Sequence, residues 1–334
     1  MKFAVPKMAG SAQRSGPDAM TFLRLAIVSL ALQLASADGV TAQDLYKYQD
    51  KDGNWIYADK PPDDGRSAEK SELTRTITEG PIIVDVTDRF DNDNVLLTAR
   101  NDYFAPVEIR LEIVESRDLE LPPESHPMTW VLPPRSETHL LQLYLLEGAT
   151  RPMLEYRFRY MPGDPRATHE PAQPYRVPFA IASNHPISQA YPDARTHTTP
   201  DSQYAVDIAM PIGTDVVAAR EGTVIEIAAS NFRSGLNVVE DGPAANVVRI
   251  LHDDGTIGIY AHLNTNTIRV KPGDFVERGQ YIADSGNTGF SSGPHLHFAV
   301  VQNVGLSLRS VPVEFQGSTS EPVVPTSGNV ITAY

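Results

Sequence analysis

The chain has no cysteine among its 334 residues. Disulfides, thiolate metal sites and cysteine nucleophiles are therefore excluded, and any metal must be held by His, Asp or Glu. It also lacks an excess of positive charge. The formal net charge is -14, with no basic stripe, which argues against a nucleic-acid partner. There is no apolar run long enough to span a bilayer comfortably. The best candidate, Phe22 to Ala35, is interrupted by Arg24, Ser29 and Gln33. Nor is there an H-E-x-x-H helix, so the helical type of zinc protease is out.

The short apolar run reads instead as an export signal. Arg24 precedes Leu25–Leu34, and Ala35-Ser36-Ala37 is an A-x-A cleavage pattern, with Val40-Thr41-Ala42 as a second. Residues 1–42 are set aside as a signal peptide, with Met20 as an alternative start, and the mature chain is expected to be periplasmic or secreted. What remains is long enough for two or three domains. Its 27 prolines and 22 glycines point to many turns and short strands. We expect a mainly β protein: an antiparallel β-sandwich followed by a β-rich domain carrying a lipoyl-like hairpin.

Taken in order, residues 43–66 form two aromatic-rich runs around the turn dipeptide Asp52-Gly53, closed by Pro61-Pro62. They resemble the small N-terminal module of unknown function seen on many bacterial envelope proteins. Residues 63–75 read as a polar linker. Within 67–180, the alternating runs Pro81–Val86, Val95–Ala99, Val107–Val114, His139–Leu145 and Leu154–Tyr160 are expected strands of the sandwich. His126, His139 and His169 are scattered there without a catalytic partner, and read as surface or core residues. This domain is a possible docking platform for another envelope protein. Residues 181–320 are again β, with strands expected at Tyr204–Met210, Asp215–Ala219, Thr223–Ala229, Asn246–His252, Thr256–Leu263 and His295–Val301. A tight hairpin is expected at Val270–Ala283, turned by Pro272-Gly273 and bent at Gly279. Residues 321–334 read as a tail.

The chemistry concentrates in Gly286–Val300. A Gly/Ser-rich loop feeds a strand carrying His295 and His297. Alternation puts both imidazoles and Ala299 on one face and Leu296, Phe298 and Val300 on the other. An isolated His-x-His is as often a pair of solvent-facing histidines, but this one has company. Ala205, Asp207 and Ala209 share a face of their strand, where small neighbours leave room around the carboxylate. The same alternation places Tyr260 and His262 together in Gly258-Ile-Tyr-Ala-His-Leu263. His252 reads as a surface turn histidine, and the role of Asn246 is open.

Five pieces in order carry a resemblance. They are Tyr204-Ala-Val-Asp207-Ile-Ala-Met-Pro-Ile-Gly-Thr214, Ala218-Ala-Arg-Glu-Gly222-Thr-Val224, Tyr260-Ala-His262-Leu263, Lys271-Pro-Gly-Asp-Phe-Val-Glu-Arg-Gly-Gln280, and Gly286-Asn-Thr-Gly289 through His295-Leu-His297-Phe298. Together they resemble the lysostaphin/LytM-type zinc metallopeptidases over about residues 185–315. The resemblance implies a peptidoglycan endopeptidase acting on wall peptides. It implies Zn2+ held by a His, Asp207 and His297, with His262 and His295 orienting and deprotonating water. Three protein ligands with one open position are what a catalytic zinc site requires. The alternative is an inactive binding module of the same fold that activates a cell-wall amidase. A carrier domain, suggested only by the Pro-Gly-Asp hairpin, lacks the modified-lysine context.

One family mark is missing. The pattern is H-x-x-x-D, yet Gln203 stands four residues before Asp207. The upstream histidine is His197, in Arg195-Thr-His-Thr-Thr-Pro-Asp-Ser202. Either a longer loop folds His197 back to the metal, or the ligand is lost. We favour the first reading, because the other four functional positions are intact. Gln203, on the Asp207 face, would then be free to act as a hydrogen-bonding partner behind the metal ligands.

Overall fold

The computed structural model describes residues 43–49, 51, 55–58, 61–62, 64–73, 84–91, 93–123 and 127–334. The proposed signal peptide, the Asp52-Gly53 turn and His126 lie outside the described residues. Among the described residues no helix is long and apolar enough to cross a membrane.

The first unit is a small antiparallel sheet. Strand β1 (Gln43–Gln49) lies between β2 (Trp55–Ala58) and β3 (Glu69–Leu73). The stretch read as a linker therefore supplies a strand: Glu69–Leu73 pairs with Lys47–Gln43. Its alternation of charged and polar residues gave no apolar face to recognise.

Six strands follow: β4 (Val84–Phe90), β5 (Asn94–Asn101), β6 (Val107–Arg117), β7 (Met128–Leu132), β8 (Ser136–Tyr144) and β9 (Met153–Pro162). They form two three-stranded antiparallel sheets, β4-β5-β8 and β7-β6-β9. Alternate residues of both, among them Val95, Leu97, Ile109, Leu111, Leu143 and Leu154, are fully or almost fully buried and meet in one core. The strand β7 was not expected.

The C-terminal part is built on a nine-stranded sheet. Its strands are β10 (Asn184–Gln189), β11 (Val206–Ala209), β13 (Gly222–Ala228), β15 (Val247–Leu251), β16 (Ile257–Ala261), β17 (Phe275–Val276), β20 (His295–Asn303), β21 (Leu308–Ser310) and β22 (Val330–Thr332). The order is β17-β13-β15-β16-β20-β11-β10-β22, with β21 also on β20. Two small pairs stand beside it, β12 (Asp215–Val217) with β18 (Tyr281–Asp284), and β14 (Ser234–Gly235) with β19 (Gly289–Phe290). A single helical turn, α1 (Val238–Asp241), follows β14. The expected Pro-Gly hairpin keeps both its bends, at Gly273 and Gly279 with positive φ. Its arms do not pair with each other, however. Phe275–Val276 joins β13, and Tyr281–Asp284 joins β12. The stretch read as a tail also joins the fold, since β22 pairs with β10 and Ile331 and Ala333 enter the core.

The face of β20 bearing Leu296, Phe298 and Val300 packs with Tyr260, Ile208 and Phe315 in the C-terminal core. The opposite face carries the histidines and, further along, Val301. Val301, Ile257 and Ile225 are buried in the upstream core, so the two sheets upstream cover one end of the histidine face. The seam is also polar. The buried Glu108 carboxylate accepts from Asn303 Nδ2 at 2.8 Å and from the Leu306 amide at 2.7 Å.

Candidate metal centre and catalytic histidines

Strand pairing delivers half of the site. Asp207 on β11 stands directly opposite His297 on β20, and Ala261 of β16 stands opposite His297 on its other side. Directly opposed residues have Cβ atoms about 5 Å apart. His297 Nδ1 lies 2.9 Å from Asp207 Oδ1. The small side chains expected beside the carboxylate are present, with Ala205 fully buried and Ala209 partly so.

A loop delivers the other half. His197 lies in the segment between β10 and β11, and its Nε2 sits 3.2 Å from the same Asp207 Oδ1. The ligand atoms of His197, Asp207 and His297 all lie within 4.8 Å of one another. All three side chains are withdrawn from solvent, His197 and Asp207 at 4% and 5% exposure and His297 at 19%. Burial opposes ionisation of Asp207, but hydrogen bonds from His197 and His297 outweigh it and hold the carboxylate well below its ordinary range. Two imidazole nitrogens and one carboxylate oxygen, with no sulfur, form a donor set that suits zinc.

His262 and His295 stand beside this group. Their rings are 4.5 Å apart, and the His262 ring is 5.8 Å from that of His297. His295 Nε2 is 3.8 Å from Asp207 Oδ2. Each ring commits its Nδ1–H elsewhere, His262 to the Thr288 carbonyl at 2.6 Å and His295 to that of Gly293 at 2.8 Å. Both therefore leave Nε2 as the free edge. Burial, reinforced by His295 and His297, pushes His262 down to about 3. Burial also lowers His295, against the pull of Asp207. Both rings are held as neutral imidazoles.

The expectation that Tyr260 and His262 share a face is corrected. Tyr260 is fully buried on the core side, where its hydroxyl accepts the Ala219 amide at 2.7 Å. Strand β16 ends at Ala261, and His262 takes a left-handed φ of 62°. That break in the alternation turns the ring toward the face that carries His295 and His297, at a cost of about 1–2 kcal/mol.

Two glycines let the loop beneath these rings close up. A Cβ on Gly286 would meet Asn264 backbone at 2.6 Å, and one on Gly289, at φ +85°, would meet Ala245 at 2.6 Å. Asn246, whose role was open, is fully buried under this region. Its Nδ2 donates to the carbonyls of Asn231 and Leu263, and its own amide donates to Thr288 Oγ1. It ties together the segments that carry His262 and its carbonyl partner.

Two further expectations fail. Gln203 is exposed, and its backbone amide is taken by Thr199. The amide side chain at the carboxylate is Gln189, whose Nε2 donates to Asp207 Oδ2 at 2.7 Å. No short-range signal links Gln189 to a residue so far along the chain; only the β10–β11 pairing brings them together. His252 is not a surface residue either. It is buried, with Nδ1 donating to the Glu221 carbonyl at 2.7 Å, and it packs against Tyr175. His169 is half-buried and stacks on Tyr175, and His139 is exposed beside Thr98.

Comparison with known proteins finds two families along the chain. Residues 201–308 match Peptidase family M23, and residues 30–81 match a domain of unknown function, DUF4124. The first match begins after His197, so the loop histidine lies outside it. Lysostaphin from Staphylococcus simulans is 34% identical over 123 residues, covering 36% of this chain and 20% of its own length. The peptidoglycan DD-endopeptidase ShyA of Vibrio cholerae is 40% identical over 96 residues, 28% of this chain and 19% of its own. The chain thus spans about a fifth of the length of these relatives. The solved structure of lysostaphin from Staphylococcus simulans matches with 33% identity, 36% of this chain, 43% of that chain and a TM-score of 0.27.

Proposed function

Residues 201–308 form a Peptidase family M23 domain, and from that premise we propose that the chain is an exported zinc-dependent endopeptidase that hydrolyses peptide bonds of cell-wall peptidoglycan. The observation that carries the reading is the division of labour among five side chains. His197, Asp207 and His297 converge on one point, and the rings of His262 and His295 stand beside them with Nδ1 engaged by backbone carbonyls and Nε2 left open. The peptidoglycan endopeptidase named among the relatives supports the substrate class.

In this reading His197, Asp207 and His297 would hold the zinc. When bound, zinc supplies Lewis acidity, lowering the pKa of a water to about 7 and polarising the scissile carbonyl. His262 and His295 do the proton work. As neutral imidazoles they accept the proton of the attacking water at Nε2 and return it to the leaving nitrogen. In the charged form either ring donates from Nε2 to the oxygen on which negative charge develops. The carbonyls of Thr288 and Gly293 keep both rings in the tautomer that this requires.

A binding module that stimulates a separate amidase is the second reading, favoured by the glutamine at position 203. One experiment separates the two. Protein purified without chelators should hold one zinc per chain and should release peptide fragments with new amino termini from purified peptidoglycan, read by mass spectrometry. Protein that takes up no zinc when it is supplied, and leaves every wall type intact, would overturn the enzyme.

A further inference from the structure

Gln189 ends strand β10, and its amide uses all four of its hydrogen-bonding positions. Oε1 accepts from the backbone N–H of Arg195 at 2.7 Å and of Thr196 at 3.0 Å. Nε2 donates to Asp207 Oδ2 at 2.7 Å and to Thr196 Oγ1 at 3.0 Å. Two backbone N–H groups admit only an acceptor, so the amide has one orientation and its NH2 must face the carboxylate. Asp207 is shared out accordingly. Oδ1 faces His197 and His297, and Oδ2 is held by Gln189.

The same amide anchors the loop that carries His197. Arg195 and Thr196, the residues it grips, immediately precede that histidine. The far end of the loop is tied separately, where the Pro200 carbonyl accepts from both the amide and the hydroxyl of Ser310. His197 therefore hangs between two fixed points, one of them a side chain already bonded to the carboxylate that His197 meets. A histidine on a strand needs no such device, because register sets its place. One on a loop does.

We propose that Gln189 is a positioning residue of the metal centre, which orients the Asp207 carboxylate and clamps the loop that presents His197 to the same ion. The proposal rests on the reading of His197, Asp207 and His297 as zinc ligands. It accounts for how the centre works with no histidine at position 203.

The test uses the mature full chain and its Gln189→Leu variant, which keeps the volume and removes all four bonds. Zinc affinity is measured by competition with a chromophoric chelator, and Co2+ absorption spectra report ligand geometry. Hydrogen exchange of residues 195–197 is followed in the metal-free protein. Gln189→Leu should bind zinc tenfold to a hundredfold more weakly, alter the Co2+ bands, and exchange faster at 195–197 while the rest of the chain stays protected. Gln203→Ala should stay within twofold of wild type. If Gln189→Leu opens the whole domain, Gln189→Asn, too short to span carboxylate and loop, is read in the same way. Unchanged exchange at 195–197 overturns the clamp whatever the metal does, and zinc affinity within twofold of wild type overturns the positioning role. If wild-type protein takes up no zinc at all, the enzyme reading falls, and the exchange result alone decides whether Gln189 ties the loop.

Discussion

His297 and His197 reach the same oxygen of Asp207 by opposite means. The β11–β20 pair puts His297 there through backbone pairing, continued on its far side by β16. That placement of the two backbones comes from strand register rather than from side-chain bonds. The loop between β10 and β11 puts His197 there through side-chain bonds to Gln189 and a backbone tie to Ser310. The strand half of the site is built into the core. The loop half is assembled onto it by side-chain and backbone bonds at its two ends. The match to Peptidase family M23 covers the strand half of the site and begins just after the loop histidine.

The sharpest way to break this comparison is to remove each histidine in turn. His297→Ala and His197→Ala should each leave only two protein ligands, so both should lose measurable zinc and all peptidoglycan hydrolysis, checked by elemental analysis and wall digestion. If His197→Ala digests wall as wild type does, the loop half is not part of the metal centre and the comparison collapses. A smaller effect separates ligands from proton handlers. His262→Ala and His295→Ala should lose roughly 10²–10⁴ in hydrolysis, the usual share of general acid–base catalysis, while zinc content stays at wild-type level. Loss of metal from His295→Ala but not from His297→Ala would reverse the roles of the two strand histidines.

The smallest effect concerns a histidine outside the site, and it shows what burial alone does. Burial lowers His252 to about 4, against the opposing hydrogen bond to the Glu221 carbonyl. The unfolded chain binds that proton near pH 6.5. Folded His252 resists it, so its contribution to stability is fully present above about pH 6.5 and is lost as pH falls toward 4. Metal-free wild-type protein should lose a few kcal/mol of stability across that window by denaturant unfolding, and the non-titrating His252→Gln should lose less. Equal pH slopes for the two would show that His252 is not held neutral in the fold.

Much of this was legible beforehand, for a reason that can be stated residue by residue. Alternation is a local property, so the facing of His295, His297 and Asp207 followed from their own strands. Tyr260 and His262 were misplaced where that locality ended, because a left-handed φ at the strand terminus interrupts the period of two. The strand Glu69–Leu73 was missed because it has no apolar face, and Val330–Thr332 because only its partner β10 shows that it is a strand. His252 looked like a turn residue from its Asp-Asp-Gly neighbours. Its burial against Tyr175 is set from 77 positions away.

By itself, the sequence determined the β character of the chain, the family of its C-terminal domain and four of the five residues at the centre, since each sits in a short motif whose chemistry is local. His197 was the favoured third ligand without being fixed by a motif; tertiary structure decided that it reaches Asp207, and it alone decided which amide supports the carboxylate. His197 and Gln189 belong to no recognisable spacing around Asp207. They meet it because β10 pairs with β11 and the loop between them folds back. Such contacts depend on loop geometry and long-range pairing, and no residue pattern along the chain records either.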